Sequence, residues 1–208
     1  DGGGGDGGKG DGDDDAMRRC WVMTSNVDGF FERSGFDRAR VYTPQGDFAH
    51  LQCLTPCHAG VWPSRPELDR LVPAVDASTQ LVAAGVPLPR CPRCGGDAFM
   101  NVRAGPMFVE EPYRAAGEAL QAWIDEGAAR GARLVIIEIG AGFNTPGVIR
   151  RPCEALAAAL DATLIRINAS PAHAAVPPRV RRGVAIAADA DAAVDAVAAA
   201  AADDAASR

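Results

Sequence analysis

Residues 133–142 read Arg-Leu-Val-Ile-Ile-Glu-Ile-Gly-Ala-Gly. The first part is a nearly continuous aliphatic run, the pattern of a strand that a parallel sheet buries on both faces. The run passes directly into the turn Gly140-Ala141-Gly142. In an open α/β sheet such a turn lies at the carboxyl end of its strand, where ligands bind. The stretch therefore predicts a central strand that leads either into a ligand-binding turn or into a tight turn without a ligand.

Strand-like and helix-like segments alternate on both sides of this run. Apolar residues recur at roughly helical spacing in the longer segments, and short apolar runs lie between them. The predicted helices are 112–131, 152–162 and 187–202, and the predicted strands are 20–24, 40–42, 133–139 and 163–167. The alternation predicts an α/β fold built on an open, mostly parallel, Rossmann-like sheet.

Four cysteines form two short pairs, Cys53-x3-Cys57 and Cys91-x2-Cys94. Two such pairs on opposing turns supply the four soft ligands of a tetrahedral structural zinc site. The alternatives are two disulfides or four unrelated buried thiols. The spacing favours zinc, held by a small module of about residues 53–96 that is inserted into the sheet. A site with four thiolates has no open coordination position, so it stabilises a fold and performs no chemistry.

Composition excludes several classes of function. The formal net charge of −6 argues against a nucleic-acid-binding surface. No apolar run approaches the ~20 residues of a membrane span, and no signal peptide is visible. Metal-type cysteine pairs indicate a reducing, intracellular compartment. Residues 1–16 are almost entirely glycine and aspartate, and such a segment is expected to be disordered.

Polar residues follow several of the predicted strands. Because parallel strands end at one edge of a sheet, these residues are the candidates for a shared ligand cleft. Each cluster alone could be an ordinary turn, since Asn, Asp and Gly are common turn formers. The candidates are Asn26 and Asp28, Gln45 and Asp47, Gly140, Ala141, Gly142 and Asn144, and Asn168. Their common position after strands predicts that they converge.

Residues 24–35, Thr-Ser-Asn-Val-Asp-Gly-Phe-Phe-Glu-Arg-Ser-Gly, resemble the signature of the sirtuin family. The cysteine pairs, the glycine turn and the strand that ends at Asn168 follow in the sirtuin order. The resemblance covers roughly residues 20–168. It implies NAD as a cofactor in addition to zinc. It assigns NAD binding to Asn26, Asp28, Gly140, Ala141, Gly142, Asn144 and Asn168.

Two departures indicate a branch of the family. Deacylating sirtuins carry His-Gly where this chain has Gln45-Gly46, and Gly-Thr-Ser where it has residues 140–142. Residues 45–48, 101–103, 108–111 and 138–147 look like the class M, macrodomain-linked sirtuins. That branch is implicated in NAD-dependent ADP-ribosylation of a lipoylated carrier protein. The resemblance therefore implies an acceptor protein, a lipoylated carrier in that branch, as the partner.

The resemblance also assigns catalytic roles. Asn26 and Asp28 would line the pocket for nicotinamide and ribose. Gln45 would stand where deacylating sirtuins have a histidine base, and an amide takes up no proton at neutral pH. Deacylation is then expected to be impaired, while Gln45 orients the ribose. Asp47 could activate the incoming nucleophile, or it could be a solvated loop carboxylate or a turn cap. Glu110 and Glu111 could face the acceptor or could simply be solvated.

Sirtuins open with a strand and a glycine-rich Gly-Ala-Gly-x-Ser loop that holds the NAD pyrophosphate at a helix N-terminus. No such sequence precedes Met17, and the aspartates among residues 1–12 would repel phosphate. Residues 17–208 are therefore expected to form a sirtuin-type domain without its first βα unit. Two hypotheses follow. One is an NAD-dependent ADP-ribosyltransferase, and the other is a catalytically silent, zinc-structured binding module or incomplete sirtuin fragment.

Overall fold

The structure is a computed structural model that describes residues 19–206. The glycine- and aspartate-rich segment 1–16, for which disorder is predicted, lies outside the described residues. The chain divides into two compact units, which meet in sequence between Leu120 and Gln121. We refer to them as the N-terminal unit and the C-terminal unit.

The N-terminal unit contains two small sheets. A two-stranded parallel sheet pairs β1 with β2, and a three-stranded antiparallel sheet has the order β4-β3-β5. The strands are β1 Val22–Met23, β2 Val41–Tyr42, β3 Gly46–Cys53, β4 Trp62–Pro63 and β5 Ala98–Val102. The helices are α1 Phe30–Arg33, α2 Arg65–Leu71 and the 3₁₀ turns Arg38–Arg40 and Val72–Ala74. The following helix, α3 Glu111–Ala129, runs from this unit into the next.

Buried amides hold the antiparallel sheet to the chain that follows it. The Gln52 side-chain oxygen accepts hydrogen bonds from the backbone of Val109 at 3.0 Å and from Asn101 Nδ2 at 2.8 Å. Asn101 in turn accepts a hydrogen bond from the Tyr113 hydroxyl on α3. Gln52 and Asn101 are 2% and 0% exposed, so these polar groups are buried only because they satisfy one another.

The C-terminal unit is a parallel α/β structure. Its strands pair in the order β6-β7-β8, all parallel and without a register shift. The elements are β6 Val135–Ile139, α4 Arg150–Ala159, β7 Thr163–Ile167, α5 Pro171–Ala174, β8 Arg182–Ile186 and α6 Ala190–Ala206. The core forms where α4 packs on the sheet, and it comprises Ala157, Ala162, Leu164 and Val180. The α/β class, the parallel pairing and the bounds of β7 are confirmed.

The expectation that the aliphatic run of β6 is buried on both faces is wrong. Val135 is 53% and Ile137 is 61% exposed, whereas Glu138 is 2% exposed. Glu138 is buried because it lies opposite Arg166 of β7 in the sheet register, and their side chains pair on the face that α4 covers. Val135 and Ile137 lie on the other face of the strand. Among residues 19–206 no helix combines the length and apolar character that crossing a bilayer requires.

Candidate functional site

The four paired cysteines meet in one cluster. The Sγ atoms of Cys53 and Cys94 are 3.7 Å apart, as are those of Cys57 and Cys91, and all four lie within 4.8 Å of one another. Zn–S bonds of about 2.3 Å in a tetrahedron place sulfurs about 3.8 Å apart. The donor set and its spacing therefore fit zinc. None of these four cysteines forms a disulfide, so the disulfide alternative is wrong for this cluster.

Backbone geometry explains why the two pairs meet. Cys53 ends β3 and pairs with Ala98 at the start of β5, which brings the chain after Cys94 alongside it. Cys91 closes a tight turn, because its carbonyl accepts from Gly95 N at 2.9 Å and its N–H donates to Gly96 at 2.7 Å. Gly95 makes this turn possible with a φ of 73°.

The thiols differ in acidity without metal. Burial raises the pKa of Cys57 to about 12, assisted by its hydrogen bonds to Cys94 and Cys91. Burial also acts to raise the pKa of Cys91, but hydrogen bonds from the backbone of Cys94 and Arg93 outweigh it and bring that pKa to about 7. Zinc binds thiolates, so metal binding to this cluster releases protons. His58 contacts Cys57 at 3.2 Å and stacks on Trp62, outside the four-sulfur group.

In the N-terminal unit, the structure brings two of the predicted polar clusters together. Thr24 N donates to Tyr42 O at 3.0 Å, and Phe48 N donates to Val27 O at 2.8 Å. These bonds place the Asn26–Asp28 turn directly beside the chain that contains Gln45 and Asp47. Asp28 Oδ1 also accepts from Phe30 N at 3.0 Å at the start of α1.

Gln45 has an unsatisfied oxygen. Its Oε1 atom is buried, and the described structure offers it no hydrogen-bond partner. An unpaired buried acceptor costs about 1–3 kcal/mol, so this oxygen is suited to a donor from a ligand.

Gly46 fixes the backbone between Gln45 and Asp47. It has a φ of 85°, and a Cβ atom at this position would lie 1.9 Å from the carbonyl oxygen of Asn101. The next residue, Asp47, is 6% exposed, so the alternative of a solvated loop carboxylate is wrong for this position. Burial, together with the negative charge of Asp47, raises the pKa of the Tyr113 hydroxyl.

We expect Gly46→Ala to lower the free energy of unfolding by roughly 2 to 3 kcal/mol, because a positive φ and a backbone clash coincide there. Urea denaturation of the purified chain measures this. Gly105→Ala is the matched control, since a Cβ at Gly105 meets nothing within 4 Å. Equal stability of the two variants would contradict the packing at Gly46.

In the C-terminal unit the glycine turn and Asn168 are neighbours at the carboxyl edge of the sheet. Gly140 N donates to Ile167 O at 3.0 Å, directly before Asn168. Asn168 Oδ1 accepts from Ser170 N at 3.0 Å and so shapes the next loop. Asn144 lies further along the loop and is exposed.

Relatives and solved structures are similar to this chain, although no protein-family model matches it. A probable bifunctional ADP-ribose hydrolase/ADP-ribosyltransferase of Fusarium oxysporum f. sp. cubense is 38% identical over 161 residues, 76% of this chain and 27% of that protein. A protein ADP-ribosyltransferase of Staphylococcus aureus (strain Mu50 / ATCC 700699) is 24% identical over 135 residues, 64% of this chain and 41% of that protein. The chain thus spans less than half the length of these curated relatives.

Two mutants of a Sir2 homologue, each solved with ADP-ribose, superpose on this chain with a TM-score of 0.54. Each match has 17% sequence identity and covers 85% of this chain and 57% of the other. The chain has the sirtuin fold. The predicted architecture, an α/β fold with a four-cysteine module, is confirmed.

Within this sirtuin fold, the candidate residues form two half-sites. The N-terminal half-site contains Asn26, Asp28 and Gln45, and the C-terminal half-site contains the Gly140–Gly142 turn and Asn168. Each half-site lies within one unit. The joining of the two halves into a single cleft stays a prediction.

Glu110 and Glu111 are paired with arginines rather than free. Glu110 bonds Arg103 at 2.6 Å, and Glu111 bonds Arg114 at 2.5 Å. The hydrogen bond and charge of Arg103 lower the pKa of Glu110. Both glutamates are exposed, which agrees with their alternative interpretation as solvated groups.

Sequence reasoning missed Arg150, which organises the C-terminal half-site of this sirtuin fold. It is 4% exposed and donates to the carbonyls of Ala141 at 3.2 Å and His173 at 2.7 Å. Its guanidinium also lies 4.2 Å from the ring centroid of Phe143. An arginine at the first position of a helix carries no sequence signal of burial, so only the fold could reveal this role.

Proposed function

We propose that the protein is an NAD-dependent ADP-ribosyltransferase of the sirtuin type that modifies an acceptor protein. The observation that carries the proposal is the position of Gln45, an amide with a buried, unpaired oxygen, beside the Asn26–Asp28 turn. The names of the two curated relatives support transfer of ADP-ribose. The ADP-ribose bound by the similar Sir2 homologue supports NAD as its source.

Breaking the bond between nicotinamide and ribose leaves positive charge on the sugar. In the proposed reaction Asn26 and Asp28 line the pocket for nicotinamide and ribose. The Gln45 Oε1 atom accepts a hydrogen bond from a ribose hydroxyl and thereby orients the sugar. Gly140, Ala141, Gly142, Asn144 and Asn168 contribute the remaining contacts to NAD. NAD supplies the activated ADP-ribose group when it is bound.

The proposed acceptor is a lipoylated carrier protein. The class M resemblance of residues 138–147 supports this acceptor.

Zinc held by the four cysteines would have a structural role, because four thiolates close its coordination sphere. Bound zinc would tie the end of β3, at Cys53, to the turn of Cys91 and Cys94, and β3 begins next to Gln45.

Calorimetric titration of NAD into the purified chain tests whether the half-sites bind the cofactor. Heat that saturates with one NAD per chain supports the transferase. The Asp28→Ala variant should then bind more weakly, because it loses a proposed contact. A wild-type chain that releases no heat would contradict the contacts to NAD proposed for these residues.

If the protein binds NAD, we expect it to transfer ADP-ribose and to show little deacetylation, because Gln45 cannot act as the base that completes acyl transfer. Gln45→His is expected to gain some deacetylase activity, provided that Asp47 does not block the acyl-lysine tunnel. Labelled NAD and an acetyl-lysine peptide measure the two reactions. Gln121→His, on the exposed surface of α3, is the matched control. Robust deacetylation by the unmodified protein would overturn the assignment.

A further inference from the structure

A bulge in β3 lies next to the N-terminal half-site. The strand advances from Gly46 to Leu51 while its partner β5 advances only from Val102 to Met100. The extra residues interrupt the ladder with β5, while His50 still pairs with Pro63 of β4 on the other side of the strand. Bulges of this kind occur next to active sites, where they re-aim side chains.

The bulge holds a carboxylate–imidazole pair. Asp47 Oδ1 lies 2.7 Å from His50 Nδ1, and the same oxygen accepts from Ala49 N at 3.0 Å. The Asp47 side chain is 8% exposed, whereas that of His50 is 33% exposed. A carboxylate bonded to Nδ1 fixes the tautomer in which Nδ1 carries the proton and Nε2 is free to accept one. Asp47 is therefore the buried member of the pair, and His50, whose Nε2 is free to accept a proton, is the more exposed member.

Three further groups act on this pair from neighbouring elements. Arg38 Nη2 lies 3.5 Å from Asp47 Oδ2, and Glu32 of α1 pairs with Arg38. The Arg38 guanidinium therefore places a positive charge beside the buried carboxylate of Asp47. Burial raises the pKa of the Tyr113 hydroxyl on α3, and the negative charge of Asp47 raises it further.

The bulge is joined to the proposed reaction site on both sides. Gln45 directly precedes it, and Phe48 within it donates to Val27 O in the Asn26–Asp28 turn. Gln45 takes up no proton, so transfer of ADP-ribose to a hydroxyl or amine needs another base. Asp47 is itself too buried to meet an acceptor protein.

We propose that His50 is the general base of the transfer and that Asp47 is its positioning residue; this rests on the proposed function. The bond between nicotinamide and the ribose carbon breaks, and nicotinamide leaves with the bonding electron pair. The acceptor oxygen or nitrogen bonds to that carbon. Its proton passes to Nε2 of His50, and Asp47 stabilises the resulting imidazolium.

The test measures transfer of ADP-ribose to the acceptor protein by wild-type, His50→Ala and Asp47→Asn chains across pH. A positioned base contributes typically 10²–10⁴-fold, so His50→Ala should lose at least about 100-fold in kcat. The KM for NAD should stay near the wild-type value. Wild type should lose rate at low pH, this loss should be absent in His50→Ala, and added imidazole should restore part of the activity of His50→Ala. Asp69→Asn, in the exposed pair with Arg65, is the control.

Each outcome decides a different point. Wild type that transfers ADP-ribose, with His50→Ala equally active and equally dependent on pH, would overturn the inference alone. Wild type that binds no NAD and transfers nothing would overturn the proposed function, and the inference with it. If His50→Ala does not fold, His50→Gln, of similar size, takes its place. An unchanged pH profile in that variant again rejects His50 as the base.

Discussion

Cys91→Ser is expected to lose its zinc and to unfold the module of about residues 53–96. Cys91 is 2% exposed and its sulfur lies 3.7 Å from that of Cys57, so serine removes a thiolate from the centre of the cluster. Structural zinc contributes about 10–16 kcal/mol of apparent binding free energy in zinc-finger peptides at pH 7. Few side chains of the module are buried, so little else replaces that contribution.

Metal analysis and limited proteolysis between residues 57 and 91 measure this loss. Cys153→Ser is the matched control, because Cys153 lies outside the four-sulfur group, and it should keep one zinc per chain. A Cys91→Ser protein that kept one zinc and a protease-resistant module would contradict the assignment.

The sign of the pH dependence follows from the thiols. Zinc needs them deprotonated, and without metal the Cys57 thiol, with a pKa of about 12, holds its proton throughout the neutral range. Cys91, with a pKa of about 7, takes one up as the pH falls through neutrality. Protons therefore compete with zinc, and the affinity for zinc should fall as the pH falls.

The four-cysteine cluster could be predicted because its signal is local. Two cysteines within one tight turn must point to one apex, and Gly95 makes that turn possible. The turn residues Asn26, Asp28 and Asn168 were readable for the same reason, since each follows a short apolar run. Their assembly into half-sites depends on which strands are neighbours in a sheet. The strands that precede these residues pair in parallel, so their carboxyl ends lie side by side.

Burial within the strands could not be predicted. In the run of residues 135–139 the glutamate looks like the exposed position and the isoleucines like the core. The structure reverses this, because Arg166 faces Glu138 across the sheet register. The partner lies on another strand, and residue pattern alone gives no register between parallel strands. The Asp47–His50 pair was missed for a related reason, since a bulge breaks the period-two pattern of β3.

The buried ion pair gives the second large prediction. Arg166 and Glu138 both have side chains that are 0% exposed, and their two hydrogen bonds measure 2.5 and 3.0 Å. Arg166 also bonds Glu154 at 3.0 Å and the carbonyl of Ala175 at 2.7 Å. These carboxylates raise the pKa of Arg166 even though burial acts to lower it. The guanidinium therefore stays charged inside the unit and needs its partners.

We expect Glu138→Leu to lower the free energy of unfolding by about 3–5 kcal/mol, because it leaves a buried arginine without its main counter-charge. The double variant Glu138→Leu/Arg166→Met should recover much of that loss, since apolar side chains of similar volume often replace a buried ion pair at little cost. Urea denaturation of the four proteins gives the coupling energy.

The exposed pair of Arg182 and Asp161, 3.1 Å apart with side chains 54% and 38% exposed, is the control. Arg182→Met should change the free energy of unfolding by less than about 1 kcal/mol, as exposed pairs do. If Glu138→Leu costs no more than Arg182→Met, the Glu138–Arg166 pair does not stabilise this sheet. The inverted burial of β6 would then need another cause.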